Sequence, residues 1–319
     1  MKKLLLIDLD CGVDDAQALM MALASPSVEV LGITCCYGNS VLENTCRNTL
    51  RVLHVCHKLE IPVYRGASAP ILGGPVLGAF FHGKDGLGDV PDPSAPGLDL
   101  LQEEHAVTAI LRIVNERPGQ VSIVATGPLT NLALAVKMDP LLPEKLKNVF
   151  IMGGNTESRG NVTVCGEFNF ATDPEAAYIV LNEYICPVYI AAWEFTCSCQ
   201  LSWEFYDEWV NQNTEKAQFM KKIFAHSVDI IKSSSSKAGR KEWNSGFVSC
   251  DSYAMAAAID ESFLTEVTEI GVSVELNGSL TRGMMIMDWT DKLEKENKAF
   301  VMKSCDLGKF QALMMAALR

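Results

Sequence analysis

Four carboxylates crowd the start of the chain: Asp8, Asp10, Asp14 and Asp15 fall within eight residues. An apolar run from residue 4 precedes them, and a helix-like pattern follows. Two like charges about 4 Å apart repel by roughly 1 kcal/mol in water and by about 4 kcal/mol at an effective dielectric of about 20. A bound divalent cation would remove that repulsion, and this is the hypothesis we favour. The alternative is that Asp14 caps the helix while the others stay solvated.

Two later segments place oxygen-bearing residues in similar positions. Thr126 follows an apolar run, and Asp251 precedes an alanine-rich helical pattern. Hard cations such as Ca²⁺ take roughly six to eight oxygen ligands, which distant segments could supply together. Taken alone, Thr126 would be an ordinary strand end and Asp251 a helix N-cap.

Apolar, β-rich runs alternate with helical patterns along most of the chain, which predicts parallel βαβ units. After the first run, strands are expected at 28–37, 61–64, 121–126, 149–152 and 186–192. A helical stretch is expected over about 202–234, followed by two or three more strands and a closing helix after 264. We predict a single α/β domain over 1–319, with an open, mostly parallel (mixed) sheet flanked by helices, Rossmann-like. Ligands bind such sheets beyond the carboxyl ends of the strands, where the aspartates fall.

The segment 66–104 is rich in Gly, Pro and Asp and lacks periodicity. A loop of that length in a compact domain is usually functional, often a cover over an active site. His82 lies near its centre, so we expect this histidine to contact a substrate rather than the core.

Composition narrows the classes of partner and compartment. The chain has 319 residues, 48% of them hydrophobic, and a formal net charge of −12, which argues against a nucleic-acid-binding surface. Eleven cysteines scattered through the chain suit a reducing compartment. The N-terminal apolar run is too short for a signal peptide, and we find no membrane span. The expected location is the cytoplasm, and no membrane partner is expected.

Taken together, these segments resemble the inosine–uridine preferring nucleoside hydrolase family over nearly the whole chain. Several motifs in this order and spacing carry the resemblance. They are Asp8-x-Asp10-x-Gly12-x-Asp14-Asp15-Ala16, Gly38-Asn39, His82-Gly83-x-Asp85-Gly86-Leu87-Gly88, Thr126-Gly127-Pro128-Leu129-Thr130-Asn131, Met152-Gly153-Gly154, Asn161, Glu167-Phe168-Asn169, Asp173-Pro174-Glu175-Ala176-Ala177 and Asp251.

The resemblance implies hydrolysis of the N-glycosidic bond of a ribonucleoside to ribose and free base. It implies a Ca²⁺ ion held by Asp10, Asp15, the Thr126 carbonyl and Asp251, which also binds the ribose diol and the attacking water. Asp10 would be the general base. Substrate contacts are implied for Asp14, Asn39, His82, Asn161, Glu167 and Asn169. A homodimer or homotetramer is implied as well.

The chain departs from the family pattern at three positions. Cys11 and Ser252 stand where proline is usual, and Cys250 stands where the best-known branch has a histidine that helps to protonate the departing base. A thiol, with an ordinary pKa of about 8.5, is a poorer acid at neutral pH than imidazole. Cys250 is therefore either a catalytic residue or plain packing. His226 is a further candidate acid, although a surface histidine is the more ordinary interpretation.

Other functions compete with nucleoside hydrolysis. The pair Asp8 and Asp10 after a strand is also typical of Mg²⁺-dependent phosphatases, but the motif Asp14-Asp15 would come too early in them. A third hypothesis is a catalytically weak or inactive riboside-binding protein of the same fold. Each single residue also has an ordinary structural explanation. Asn161 and Asn169 could simply form turns, and Cys250 could simply pack in the core.

Overall fold

The computed structural model describes residues 2–74, 76–234 and 246–319. The strands are β1 (Lys3–Leu9), β2 (Val28–Cys35), β3 (Val63–Arg65), β4 (Val121–Ala125), β5 (Asn148–Met152), β6 (Val188–Ala191), β7 (Leu264–Ile270), β8 (Val272–Val274), β9 (Met285–Met287) and β10 (Ala299–Cys305). The helices are α1 (Val13–Ala24), α2 (Leu42–Val55), α3 (Ala79–His82), α4 (Ala106–Glu116), α5 (Thr130–Met138), α6 (Phe168–Thr172), α7 (Pro174–Glu183), α8 (Trp193–Ser198), α9 (Trp203–Val210), α10 (Glu215–Ser234), α11 (Cys250–Ile259) and α12 (Leu307–Ala317).

One large sheet organises the fold, with strand order β3-β2-β1-β4-β5-β6-β10-β7. All neighbours pair in parallel except β10 and β7, which are antiparallel. The predicted open, mostly parallel α/β sheet is therefore confirmed. The chain after 264 forms four strands rather than two or three, because β8 and β9 pair in a small separate sheet.

Strand β1 lies where the strand order reverses. Its register pairs Asp8 with Thr34 of β2 on one side and with Ala125 of β4 on the other. Open α/β sheets bind ligands in the crevice at this switch point. The residues that follow these strands, Asp10 and Thr126, therefore meet at one edge.

Helix α11 brings the segment that contains Asp251 to the same edge of the sheet. It packs against α1 and against β4, β5 and β6. Its small buried residues, Ala254 and Ala256 to Ala258, allow this close approach. The first turn of α11, which contains Asp251, is thereby set beside the start of α1.

The C-terminal half differs from the expected pattern at one helix. The helical stretch expected over 202–234 divides into α9 and α10, which are separated by residues 211–214. Within the described ranges, none of the helices is both long enough and apolar enough to cross a membrane.

Candidate active site

Three buried carboxylates lie together where β1, α1 and α11 meet. Ligand oxygens of Asp14, Asp15 and Asp251 lie within 4.8 Å of one another. The helix-capping alternative is wrong, because Gly12 is the N-cap of α1 and Ser249 is the N-cap of α11. The solvated alternative is also wrong, since Asp8, Asp10 and Asp15 are each 0% exposed. The fold therefore places three carboxylates of like charge close together in the interior.

Asp15 is the most densely bonded member of this cluster. Its Oδ2 accepts hydrogen bonds from the Gly12 amide at 2.8 Å and from Nδ2 of Asn39 at 3.1 Å. Its Oδ1 accepts a hydrogen bond from the Thr126 hydroxyl at 2.6 Å. These donors come from three different elements, so Asp15 ties the ends of β2 and β4 to the start of α1.

Asp10 lies directly after β1 and is fully buried. Its Oδ2 accepts a hydrogen bond from the Asn39 amide at 2.8 Å, whereas its Oδ1 is buried without a hydrogen-bond partner. Gly38 makes room for it, because a Cβ at that position would lie 2.0 Å from Oδ2 of Asp10. The orphaned oxygen is available to a ligand that the protein itself does not supply.

Burial and mutual repulsion both disfavour the charged forms of these carboxylates. Burial, followed by the charge of Asp14, raises the pKa of Asp15 to about 6. Burial and neighbouring carboxylates also raise the pKa values of Asp10 and Asp251. Buried acids that repel one another and keep orphaned oxygens fit a hard divalent cation.

Asp8 is bound by side chains that do not belong to this cluster. Its Oδ1 accepts hydrogen bonds from the Thr34 hydroxyl at 2.6 Å and from Nδ2 of Asn131 at 2.8 Å. Burial raises its pKa to about 7. Of the four acids in the N-terminal motif, Asp8 is therefore the structural one, and it joins β1 to β2 and α5.

His82 covers the start of α1. Its Nδ1 accepts a hydrogen bond from the Val13 amide at 3.2 Å and lies 3.8 Å from Oδ1 of Asp14. Burial is the main cause of the lowered pKa of His82. Because Nδ1 accepts the Val13 amide hydrogen, this geometry suits the neutral imidazole with its proton on Nε2.

Glu167 and Asn169 begin helix α6 beside the cluster. Both oxygens of Glu167 accept backbone N–H groups, from Gly154 at 2.7 Å, Asn169 at 2.9 Å and Phe170 at 3.2 Å. Its exposure of 1% rules out a solvated loop charge, and burial raises its pKa to about 7. Nδ2 of Asn169 donates to the Thr126 carbonyl at 2.9 Å and to the Met152 carbonyl at 3.0 Å.

A cavity of about 600 Å³ opens onto these residues, within the roughly 300–1,000 Å³ typical of small-molecule sites. Its lining has a polar set and an apolar set. The polar set includes the predicted residues Asp14, Asn39, His82, Thr126, Asn161, Glu167, Asn169, Cys250 and Asp251. Asp10 and Asp15 lie behind this lining and contact it through Asn39.

The apolar set is what the sequence interpretation missed. It includes Phe81, Met152, Trp193, Val248 and Ile230. In a sequence, apolar residues that line a pocket look the same as apolar residues of the core, so only the three-dimensional arrangement reveals them. A cavity with both sets suits a ligand that has a hydroxylated part and a flat apolar part.

Cys250, the first residue of α11, lines the cavity and is half-buried. Its Sγ accepts a hydrogen bond from the Thr196 hydroxyl at 3.6 Å. Burial raises the pKa of its thiol. His226 lies on α10, and the described part of the cavity lining does not include it.

Comparison with known proteins matches this architecture. The family model described as inosine-uridine preferring nucleoside hydrolase matches residues 5–312. The chain is 31% identical over 319 residues to the enzyme of that name from Crithidia fasciculata, covering 100% of this chain and 98% of that protein. It is 34% identical over 321 residues to the pyrimidine-specific ribonucleoside hydrolase RihA of Salmonella typhimurium, covering 99% and 98%.

Solved structures agree with the sequence matches. An inosine-guanosine nucleoside hydrolase shares 32% identity with a TM-score of 0.89, covering 100% of this chain and 99% of that chain. A purine-preferring ribonucleoside hydrolase from Gardnerella vaginalis shares 30% identity with a TM-score of 0.89, covering 99% and 98%. The chain belongs to the inosine–uridine preferring nucleoside hydrolase family, and it is an enzyme of ribonucleoside hydrolysis.

Proposed function

We propose that the protein is a Ca²⁺-dependent hydrolase that cleaves the N-glycosidic bond of ribonucleosides to ribose and free nucleobase. The observation that carries this proposal is the buried cluster of Asp14, Asp15 and Asp251 beside a cavity of about 600 Å³. The polar lining fits a sugar and the apolar lining fits a base.

The ion would be held by Asp15 and Asp251 of this cluster together with Asp10 and the Thr126 carbonyl, which lie outside it, while Asp14 would contact the sugar. Their donors are all oxygens, and Oδ1 of Asp10 is buried without a partner. Ca²⁺ suits such a set because it accepts many carboxylate and carbonyl oxygens in flexible geometry. When bound, the cation would offset the buried negative charge and lower the pKa of water.

Asp10 is the proposed general base. One of its oxygens is fixed by the Asn39 amide, and the other is free to accept a proton from the attacking water. A positioned base of this kind contributes about 10²- to 10⁴-fold to the rate. The bond to Oδ2 would hold the carboxylate in place while Oδ1 accepts the proton.

The sugar is the proposed partner of the polar lining. The ribose hydroxyls would be bound by Asp14, Asn39, Asn161, Glu167 and Asn169, and His82 would contact the substrate from the long loop. Glycoside hydrolysis passes through a transition state like an oxocarbenium ion, so carboxylates fixed around the ring stabilise its positive charge. The neutral His82 would donate from Nε2 without adding opposing charge.

The base would lie against the apolar lining that includes Phe81 and Trp193. Aromatic side chains supply a large contact area that can accept different nucleobases. Cys250 is the residue proposed to help protonate the departing base, since its thiol lines the same cavity.

A panel of purine and pyrimidine nucleosides, assayed for reducing sugar with and without Ca²⁺, tests this function. We expect ribose release that requires the ion. Nucleoside binding without turnover would favour the riboside-binding alternative, and phosphate release from nucleotides without free base would favour the phosphatase. The homodimer or homotetramer and the cytoplasmic location stay predictions.

A further inference from the structure

The segment 155–166, between β5 and α6, forms part of the cavity wall but contains no helix or strand. It contributes Arg159, Gly160, Asn161 and Val162 to the lining. Most of its residues are exposed, Asn161 included. Its position therefore depends on a few polar anchors rather than on apolar packing.

Glu194 supplies one of these anchors from the first turn of α8. Its Oε2 accepts a hydrogen bond from the Thr156 amide at 2.6 Å, and its Oε1 accepts one from the Glu157 amide at 2.8 Å. The residue is 7% exposed. Hydrogen bonds to an ionised acceptor are roughly twice as strong as neutral ones, and two consecutive amides leave little freedom in orientation.

A second side chain fixes the shape of the segment. Nδ2 of Asn155 donates to the carbonyls of Arg159 at 3.3 Å and Cys165 at 2.8 Å, while its Oδ1 accepts the Met285 amide at 3.0 Å. Asn155 therefore folds the segment on itself and onto β9. The two amides bound by Glu194 attach the same segment to α8.

Helix α8 also forms cavity wall in its own right. Trp193 and Cys197 line the cavity, whereas Glu194 is not among its lining residues. The Trp193 amide donates to the Gly154 carbonyl at 2.9 Å, just before the segment begins. One short helix thus holds both the aromatic wall and the segment that bears Asn161.

We propose that Glu194 is a positioning residue that fixes the segment 155–166 and, through it, places Asn161 against the substrate's sugar. This inference rests on the proposed sugar contact of Asn161. Glu194 does not line the cavity, so its loss should act through the segment, in which Asn161 is the residue proposed to contact the sugar.

The test is a double-mutant cycle on the full chain with Glu194→Gln and Asn161→Ala, supported by amide hydrogen exchange. Glutamine keeps the size of the side chain but replaces one acceptor oxygen with an NH₂ group. Glu204→Gln is the matched control, because Trp203-Glu204-Phe205 repeats the tripeptide Trp193-Glu194-Phe195 at the start of a helix, with Glu204 exposed.

We expect E194Q to speed exchange at the Thr156 and Glu157 amides and to raise KM for a nucleoside roughly 10-fold, with kcat changed less than about 3-fold. The double variant should be no worse than N161A, since residues that act as one unit are not additive. E204Q should match the parent protein. If E194Q does not fold, Glu194→Asp, which retains the charge but is one methylene shorter, replaces it with the same expectations.

Effects of E194Q and N161A that multiply would overturn the proposal, because they would show that Glu194 acts elsewhere. Unchanged exchange at Thr156 and Glu157 would refute the anchoring itself. A normal KM in N161A would refute the sugar contact of Asn161 and the inference with it. The exchange measurement does not depend on catalysis, so the two failures are distinguishable.

Discussion

The hydroxyl of Thr126 donates a 2.6 Å hydrogen bond to Oδ1 of Asp15, a residue 111 positions earlier in the chain. The contact joins the end of β4 to the first turn of α1 across the switch point of the sheet. It orients a proposed metal-binding carboxylate by means of a residue whose own carbonyl is a second proposed ligand. Thr126 would therefore contribute to the cation site in two ways. Its carbonyl would bind the ion directly, and its hydroxyl orients Asp15.

Thr126→Val separates the two contributions. The variant keeps the backbone carbonyl and the shape of the side chain but loses the hydroxyl. A hydrogen bond to a charged group is worth about 1.5–3 kcal/mol, so Ca²⁺ affinity measured by calorimetry should fall at least roughly 10-fold. Thr126→Ser keeps the donor and should bind nearly normally. Wild-type affinity in T126V would show that the hydroxyl does not orient Asp15.

Gly38→Ala tests the space reserved for Asp10. The added Cβ would lie 2.0 Å from Oδ2 of Asp10, a distance that forces the carboxylate to move. A shift of about 1 Å at a reacting group can cost on the order of 100-fold in kcat, which a ribose-release assay would detect. Gly74→Ala is the control, since a Cβ there meets no atom within 4 Å. Equal activity of the two variants would contradict the assigned geometry.

Much of this site follows from sequence, because strand ends at a switch point bring distant motifs together. The positions of Asp10, Thr126 and Asp251 illustrate this, since each follows a strand or opens a helix. The anchoring by Glu194 could not be predicted from the sequence, because its partners are backbone amides 38 and 37 residues away. Every residue except proline has such an amide, so the sequence does not distinguish these two.

Other differences have equally specific causes. The separate pairing of β8 with β9 depends on long-range contacts, such as the bond from the Met285 amide to Asn155. The N-terminal aspartates also look alike in sequence, but Asp8 accepts hydrogen bonds from Thr34 and Asn131, which lie outside the motif. Which acid is structural is decided by partners outside the motif.

Removal of the cation should destabilise the protein in a pH-dependent way. Burial raises the pKa of Asp15 from 3.8 to about 6. An acid whose pKa is higher in the folded state costs stability once it ionises, so the metal-free protein should lose stability as the pH rises from about 4 through 6. A bound cation offsets that cost. Chelation should therefore lower Tm more at about pH 8 than at about pH 5, as measured by thermal unfolding. An equal loss at both values would argue against a cation among these carboxylates.

Cys250→Ala tests assistance to the departing base. The Thr196 hydroxyl lies 3.6 Å from Sγ of Cys250 and also donates to the Trp193 carbonyl at 2.9 Å, so the thiol keeps its own hydrogen for another acceptor or for Thr196. A well-matched acid gives about 10²- to 10⁴-fold, and a thiol with a raised pKa should give less, so we expect kcat for natural nucleosides to fall about 10-fold. Hydrolysis of 4-nitrophenyl riboside, whose leaving group needs no proton, should be nearly unchanged. Cys197→Ala serves as the control in the same cavity. Equal losses on both substrates would identify Cys250 as packing.

Ribose release at controlled free Ca²⁺, compared among the parent protein, Asp10→Asn and Asp251→Asn, tests the central claim most directly. The chelated parent should be inactive and recover as Ca²⁺ is added. D251N should need much more Ca²⁺, while D10N should stay about 10²- to 10⁴-fold slower at every concentration, because it lacks the base. Full turnover by the chelated parent, or by D10N, would contradict the account.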